Sequence, residues 1–231
     1  MAKITVLGLG PGRAGLITRE SWQLLNSKAQ PVVLRTAVHP TVEDIRAAGI
    51  EFTSYDNFYE QAGSFEELYR AIAEDLLKRA EREGDFLYAV PGSPLVAERT
   101  VVLLRELSRK SSVEVDILPG MSFVEVMYTT LGIDPIEGLT IIDAEDVMKL
   151  SERPLQSLVV TQVYHQQIAS DTKLALMDLY GDEYEGLYIH NLALPDESLR
   201  KIPLYELDRQ PDIDHLTTFF VPKEPFFIEK P

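Results

Sequence analysis

The chain of 231 residues has no cysteine, one tryptophan and four histidines, and positive charge is scarce: 22 Lys and Arg stand against 37 Asp and Glu, a formal net charge of −15. Without cysteine there are no disulfides, no thiolate nucleophile and no cysteine-ligated metal. The same absence suits a cytoplasmic location without demanding one. A strongly acidic protein repels polyanions, which argues against broad nucleic-acid binding and against an anionic membrane surface. No apolar run approaches the roughly 20 residues that a membrane span needs, and Met1-Ala2-Lys3 leads straight into a strand rather than a signal peptide. His39, His165, His190 and His215 are far apart and none falls in an H-E-x-x-H pattern, so no metal site is expected. There is no G-x-S-x-G elbow and no G-K-[ST] phosphate loop. What is present is ordinary for a globular protein: 45% apolar and 26% charged residues, in a chain long enough for one large or two small domains.

The most informative stretch is KITVLGLGPGRAGLIT, Lys3 to Thr18. Ile4, Val6 and Leu7 are β-formers, the glycines Gly8, Gly10 and Gly12 follow with Pro11 among them, and Thr18 is placed to cap a helix through Trp22 and Leu25. A strand that feeds a glycine-rich turn and then a helix is how α/β proteins bring backbone close to a ligand. Gly10 to Gly15 also fits the spacing G-x-G-x-x-G. The second strand, Pro31 to Leu34, ends at Arg35 and not at the acidic residue that a ribose wants, which leaves an NADP reading; Pro11 weakens it by removing a donor from the turn. Residues 1–50 hold six Lys and Arg against three acids, a locally basic end with room for an anionic ligand.

Strands and amphipathic helices alternate up to Leu118. The pattern predicts a helix opened by a Thr41-x-x-Asp44 capping box, a strand at Ile50–Phe52, a loop over Thr53–Gly63, a helix opened by Ser64-x-x-Glu67, a strand at Phe86–Val90, a helix from Leu95 to Leu107 and a strand at Val113–Leu118. Such repetition implies a mostly parallel sheet covered on both faces, with ligands beyond the carboxyl ends of the strands. Three Gly/Pro-rich turns fall at those ends: 8–12, 91–94 and 119–122. Beyond Pro119 a helix at Phe123–Leu131, strands at Leu139–Ile142, Leu158–Thr161, Gly186–His190 and Leu216–Val221, and a helix at Ile168–Leu179 suggest a mixed sheet. The expected organisation is therefore two α/β domains, 1–118 and 119–231, with a cleft between them. The proline-rich end, 222–231, reads as a linker at a domain border.

With backbone-rich turns, a few Tyr and His side chains and no evident nucleophile, the chain suits a reaction whose cofactor carries the reactivity. In order, Gly8-Leu9-Gly10-Pro11-Gly12, VPGSPLVAE (Val90–Glu98), LPGMSFVEV (Leu118–Val126), Gly132-Ile133-Asp134-Pro135, LVVTQVYH (Leu158–His165) and LYIHNLALPDE (Leu187–Glu197) resemble the tetrapyrrole (corrin/porphyrin) methylase family of S-adenosylmethionine-dependent methyltransferases. RTAVHP (Arg35–Pro40) and YDNFYE (Tyr55–Glu60) look like the subgroup fused to a C-terminal MazG-type nucleotide pyrophosphohydrolase.

The resemblance implies a homodimer that binds folded S-adenosylmethionine in the cleft. Carried over by motif, the cofactor residues are Pro11, Gly92, Ser93, Val96, Ser122 and Phe123, joined by Gln162, Val163, Asn191 and Leu192 over the adenine; Gly8, Gly10, Gly12 and Arg13 line the substrate cleft, with Pro11 beside the acceptor. Candidates on the acceptor side are Arg35, His39, Tyr55, Asp56, Tyr164 and His165. The second turn of the family is commonly Gly-Asp-Pro and here is Gly92-Ser93-Pro94, a lost carboxylate near the cation. The expected acceptor is a small molecule, tetrapyrrole-like or not, or a peptide. A non-catalytic domain that senses the cofactor and regulates a fused pyrophosphohydrolase is the alternative.

Overall fold

The computed structural model describes residues 1–59 and 64–225. The chain forms two compact units, Met1–Glu125 and Val126–Pro231.

The first unit is a five-stranded, wholly parallel sheet. In chain order it contains β1 (Lys3–Gly8), α1 (Arg19–Ser27), β2 (Val32–Leu34), α2 (Val42–Ala47), β3 (Phe52–Ser54), α3 (Asp56–Tyr59), α4 (Phe65–Glu83), β4 (Phe86–Val90), α5 (Arg99–Ser108) and β5 (Glu114–Ile117). The strand order is β3-β2-β4-β1-β5. Both faces are covered, and the two-residue period of β1 and β4 sorts their side chains accordingly. Ile4, Val6, Phe86 and Tyr88 meet Leu68, Ile72, Leu76, Val101 and Leu104 from α4 and α5. Leu7, Leu87 and Ala89 face Leu25 and Ile45 from α1 and α2 on the other side.

Helix α6 (Phe123–Leu131) leads into the second unit, which holds β6 (Leu139–Asp143), α7 (Ala144–Val147), β7 (Ser157–Thr161), α8 (Gln166–Tyr180), β8 (Glu185–His190), β9 (Ser198–Pro203) and β10 (Thr217–Val221). The sheet order is β6-β7-β10-β8-β9, with β6 and β7 parallel and the remaining pairs antiparallel, as expected of a mixed sheet. Its core joins Leu158, Val160, Tyr188, Phe219 and Val221 to Ala169 and Leu176 of α8. No helix among the described residues is long and apolar enough to cross a membrane.

Several local expectations are corrected. Thr41 does not cap α2: its backbone is already helical and its hydroxyl bonds His39 Nδ1 at 2.7 Å instead. Ser64 does cap α4, accepting from Glu67 N, and Thr18 caps α1, accepting from Ser21 N. Strand β3 sits two residues later than Ile50–Phe52, since Ile50 is drawn back by a bond from its N–H to Ile45 O. The loop expected over Thr53–Gly63 contains the end of β3 and helix α3, and its last four residues lie outside those described, as do the last six of the chain. Helix α5 starts at Arg99 and not at Leu95, because Ala97 is left-handed (φ 54°) and the turn consumes residues up to Glu98. Strand β9, SLRKIP, is polar enough to escape an apolar-pattern search.

Ile72 is fully buried, whereas Leu174 on α8 is 55% exposed. Ile72→Ala is expected to lower stability by about 2–5 kcal/mol and Leu174→Ala by less than about 0.5 kcal/mol, read from denaturant midpoints.

Candidate functional site

The strand order determines which turns meet. β4, β1 and β5 are neighbours, so the turns at their carboxyl ends, 91–94, 8–12 and 119–122, emerge side by side. Gly10 and Gly92 pair as an antiparallel bridge, Gly92 N donating to Gly10 O at 2.9 Å and Gly10 N to Gly92 O at 3.2 Å. A Cβ on Gly8 would lie 2.3 Å from Gly92 O. A Cβ on Gly120 would lie 2.7 Å from Pro94 Cδ and 3.5 Å from the Gly8 Cα. The three turns are thus in backbone contact, and side chains at Gly8 or Gly120 would force them apart. Gly8, Gly10 and Gly12 are buried, Pro11 is half-buried and Arg13 is exposed. Ser93 O accepts from Val96 N at 3.2 Å.

In the third turn, Ser122 is 1% exposed and its N–H and hydroxyl both donate to Glu125 Oε2, while its Oγ accepts from Val124 N at 3.1 Å. The Ser-x-x-Glu spacing that signals this arrangement is plain in LPGMSFVEV. Phe123 next to it is half-buried and opens α6.

Strand β2 lies beside β4, which brings Arg35 to the same edge; its N–H donates to Ala89 O. Arg35 Nε lies 3.0 Å from Glu98 Oε2, with the two side chains 19% and 4% exposed. The Nε–H is not aimed along a hydrogen bond, so the contact is an ion pair. Nη1 donates to the Tyr59 hydroxyl at 2.8 Å. Burial raises the Glu98 carboxyl above the usual range even with Arg35 beside it. The Tyr88 hydroxyl and Thr100 Oγ1 near this pair are buried with no partner among the described residues. Glu98, Tyr59 and Tyr88 were missed by sequence reasoning. The signal for Glu98 was a single acid inside an apolar, glycine-rich motif, matched by a cation left at the end of β2.

The other acceptor-side candidates of this unit have local tasks. His39 Nδ1 faces Thr41 Oγ1 at 2.7 Å, and the Gly10 main chain lies near enough to the ring to favour its protonated form slightly. Burial, reinforced by the nearby Arg35 charge, lowers His39 to a pKa of about 4, so it is neutral at physiological pH. Asp56 accepts from Thr36 Oγ1 at 2.6 Å, Ala37 N at 2.9 Å and Ser54 Oγ at 2.6 Å. Partial burial works against its ionised form, but these three donors and the Arg35 charge prevail and hold the carboxyl below its usual range. Tyr55 is turned into the core, its hydroxyl donating to Asp75 Oδ2 at 2.8 Å, and burial followed by that carboxylate raises it.

In the second unit the candidates fall at the carboxyl ends of β7 and β8. Gln162 and Asn191 are both left-handed, with φ of 62° and 54°, as is Ala193 at 68°. Strain of this kind at strand ends often marks a ligand site. Asn191 Nδ2 donates to Asp196 Oδ2 at 2.7 Å, while its Oδ1 is buried without a partner among the described residues. Val163 is fully buried and Leu192 is 8% exposed. His165 caps α8, its Nδ1 accepting from Ile168 N at 3.1 Å, and Tyr164 lies edge-on to it at 4.7 Å. Partial burial and then Glu145 and Asp143 raise the Tyr164 hydroxyl. Beside Asn191, His190 is held between Asp214 (Nε2 to Oδ1 3.1 Å) and Asp212 (Nδ1 to Oδ2 3.5 Å), a clamp that sequence alone did not suggest.

A parallel sheet whose glycine turns converge, followed by a mixed sheet with strained strand ends, defines a class. The sequence pattern of the tetrapyrrole (corrin/porphyrin) methylases matches residues 3–208, and the chain belongs to that family. Among curated relatives, the uncharacterized protein YabN of Bacillus subtilis (strain 168) is 39% identical over 220 residues, which are 95% of this chain and 45% of YabN; the chain thus spans less than half of that relative's length. Similar solved structures include uroporphyrin-III-C-methyltransferase from Thermus thermophilus, with a TM-score of 0.71 at 18% identity over 96% of this chain and 92% of that one. The T. thermophilus enzyme complexed with S-adenosylhomocysteine gives 0.68 at 20% identity with the same coverage. Diphthine synthase gives 0.67 at 15% identity over 96% and 90%. At these identities the likeness is one of fold.

Two outcomes are expected. Asp56→Ala, which removes the acceptor of three bonds, lowers stability by about 1.5–3 kcal/mol in chemical denaturation. Between pH 6.5 and about 4 the unfolded chain takes up a proton at His39 that the folded chain refuses, so folding stability falls with pH in that window. Wild type therefore loses stability relative to His39→Asn as pH drops from 6.5 to 4, and the difference levels off below that.

Proposed function

We propose that this chain binds S-adenosylmethionine at its three converging turns and transfers the methyl group to a small-molecule or peptide acceptor. The observation that carries the reading is the backbone contact among Gly8, Gly92 and Gly120, which presents main-chain groups where the three turns meet. The residues present suit such a ligand. Gly92 has open space where a Cβ would stand, and in the second unit the unpartnered Asn191 Oδ1 is an acceptor fit for an exocyclic amine. When bound, the cofactor supplies a methyl group on a sulfonium, open to in-line attack by a nucleophile.

The protein's part is then positioning. Gly92, Ser93 and Val96 of the second turn and Ser122 and Phe123 of the third hold the ligand, and Pro11 with Gly8, Gly10, Gly12 and Arg13 borders the acceptor. Since Ser122 spends its N–H and hydroxyl on Glu125, its contribution is through backbone shape. Gln162, Val163, Asn191 and Leu192 take the adenine by the same motif order. His39 and Asp56 fix the loop that carries Arg35, and so serve as positioning groups rather than proton acceptors. A cytoplasmic homodimer with domain limits near 1–118 and 119–231 completes the reading.

A second reading keeps the cofactor but not the turnover: a sensing domain for an attached MazG-type pyrophosphohydrolase. It draws on Ser93, which supplies no carboxylate to a sulfonium, and on YabN being more than twice as long as this chain. An NADP-dependent oxidoreductase is disfavoured, because Arg35, which would have to meet the 2′-phosphate, is taken by Glu98.

Calorimetry with S-adenosylmethionine, S-adenosylhomocysteine and NADPH tests the proposal: saturable binding of the two adenosyl ligands alone supports it, and binding of neither sinks it. Gly8→Val, which separates the first two turns, is expected to abolish that binding. Ser93→Asp is expected to tighten S-adenosylmethionine several-fold, by roughly 1 kcal/mol, and leave S-adenosylhomocysteine, whose thioether sulfur carries no charge, nearly unchanged.

A further inference from the structure

The carboxyl edge of the first unit contains one buried ion pair, and its placement bears on what the acceptor can be. Arg35 would by itself be an anion receptor: it follows β2 beside β4 and its side chain keeps 19% exposure. Glu98 already occupies that role. It closes the second turn with its carboxylate 4% exposed, 3.0 Å from Arg35 Nε, and its Oε1 is fixed by Thr100 N at 3.3 Å. Tyr59 fills a further donor of the guanidinium. A carboxylate this buried and tethered does not swing away to admit another, and a second anion at Arg35 would face Glu98 across a poorly screened gap. Around the pair, the hydroxyls of Tyr88 and Thr100 are neutral, buried and unpartnered among the described residues.

We propose that Glu98 is a built-in counter-ion that bars anionic groups from Arg35, so that the acceptor presents an uncharged hydrogen-bonding group (amide, carbonyl or hydroxyl) at this edge. The inference rests on the methyltransferase reading for the word acceptor, but the charge gate stands on the ion pair alone. The net charge of −15 acts in the same direction, against polycarboxylates approaching from solution. Selectivity of this kind is obtained by placing repulsion against the wrong partner rather than attraction toward the right one.

Benzoate and benzamide, equal in shape and different in charge, are the probes. Their dissociation constants are measured by ligand-observed NMR for the full chain, for Glu98→Gln and for Arg35→Gln/Glu98→Gln, with and without S-adenosylhomocysteine. Wild type is expected to favour benzamide. Glu98→Gln is expected to tighten benzoate by about tenfold and invert the preference, and the double variant to restore the wild-type order. Benzoate preferred by wild type, an unchanged ratio in Glu98→Gln, or no binding of either probe to any form overturns the proposal. Should Glu98→Gln fail to fold on circular dichroism, the two charge-balanced proteins decide, since both must favour benzamide. Failure of S-adenosylhomocysteine to bind would strike the cofactor reading and leave the probe ratios to judge the gate.

Discussion

The first unit depends on one close approach, that of the backbone at Gly8 to the carbonyl of Gly92. β1 and β4 are hydrogen-bonded neighbours through Gly8 and Val90, and the pairing continues past the strands through Leu9 N to Val90 O and the Gly10–Gly92 bridge. With no Cβ at Gly8 or Gly120, the third turn packs onto the same spot through Pro94. Everything else at this edge is arranged around that contact. Arg35 follows β2 onto β4, and Glu98 ends the second turn where Arg35 arrives.

How far the sequence revealed this varies with the kind of signal. The parallel sheet was legible because buried strands such as FLYAV are continuous apolar runs and its helices carry strong caps, Thr18 and Ser64 among them. The three turns were legible as glycine and proline clusters, and their meeting follows once β4, β1 and β5 are known to be neighbours, a matter of topology that no local pattern states. Thr41 shows the opposite case. Its spacing to Asp44 is that of a cap, but a histidine two residues earlier competes for the hydroxyl and wins.

The site was read less completely than the fold, because residue type does not reveal occupation. Tyr55, Asp56 and His165 are reactive types at suggestive places, yet each is engaged by the structure around it: Asp75 for the tyrosine, three donors for the aspartate, a helix N-terminus for the histidine. Glu98 and the His190 clamp were passed over for the converse reason. Their partners lie 63 and 22–24 positions away in the chain, and only folding discloses that a lone acid or imidazole has company.

The margins of the two sheets have a consequence for how the molecule meets copies of itself. β3 is three residues long, β5 presents Glu114 and Asp116 with Lys3 bridging to both, and β9 carries Arg200 and Lys201, each ion-paired to Asp212 and Glu185 respectively. Short or charge-laden outer strands make poor templates for a neighbour's backbone. Three of the four outer strands are therefore closed to the strand-by-strand extension that builds a fibre, which narrows any such pairing to β6.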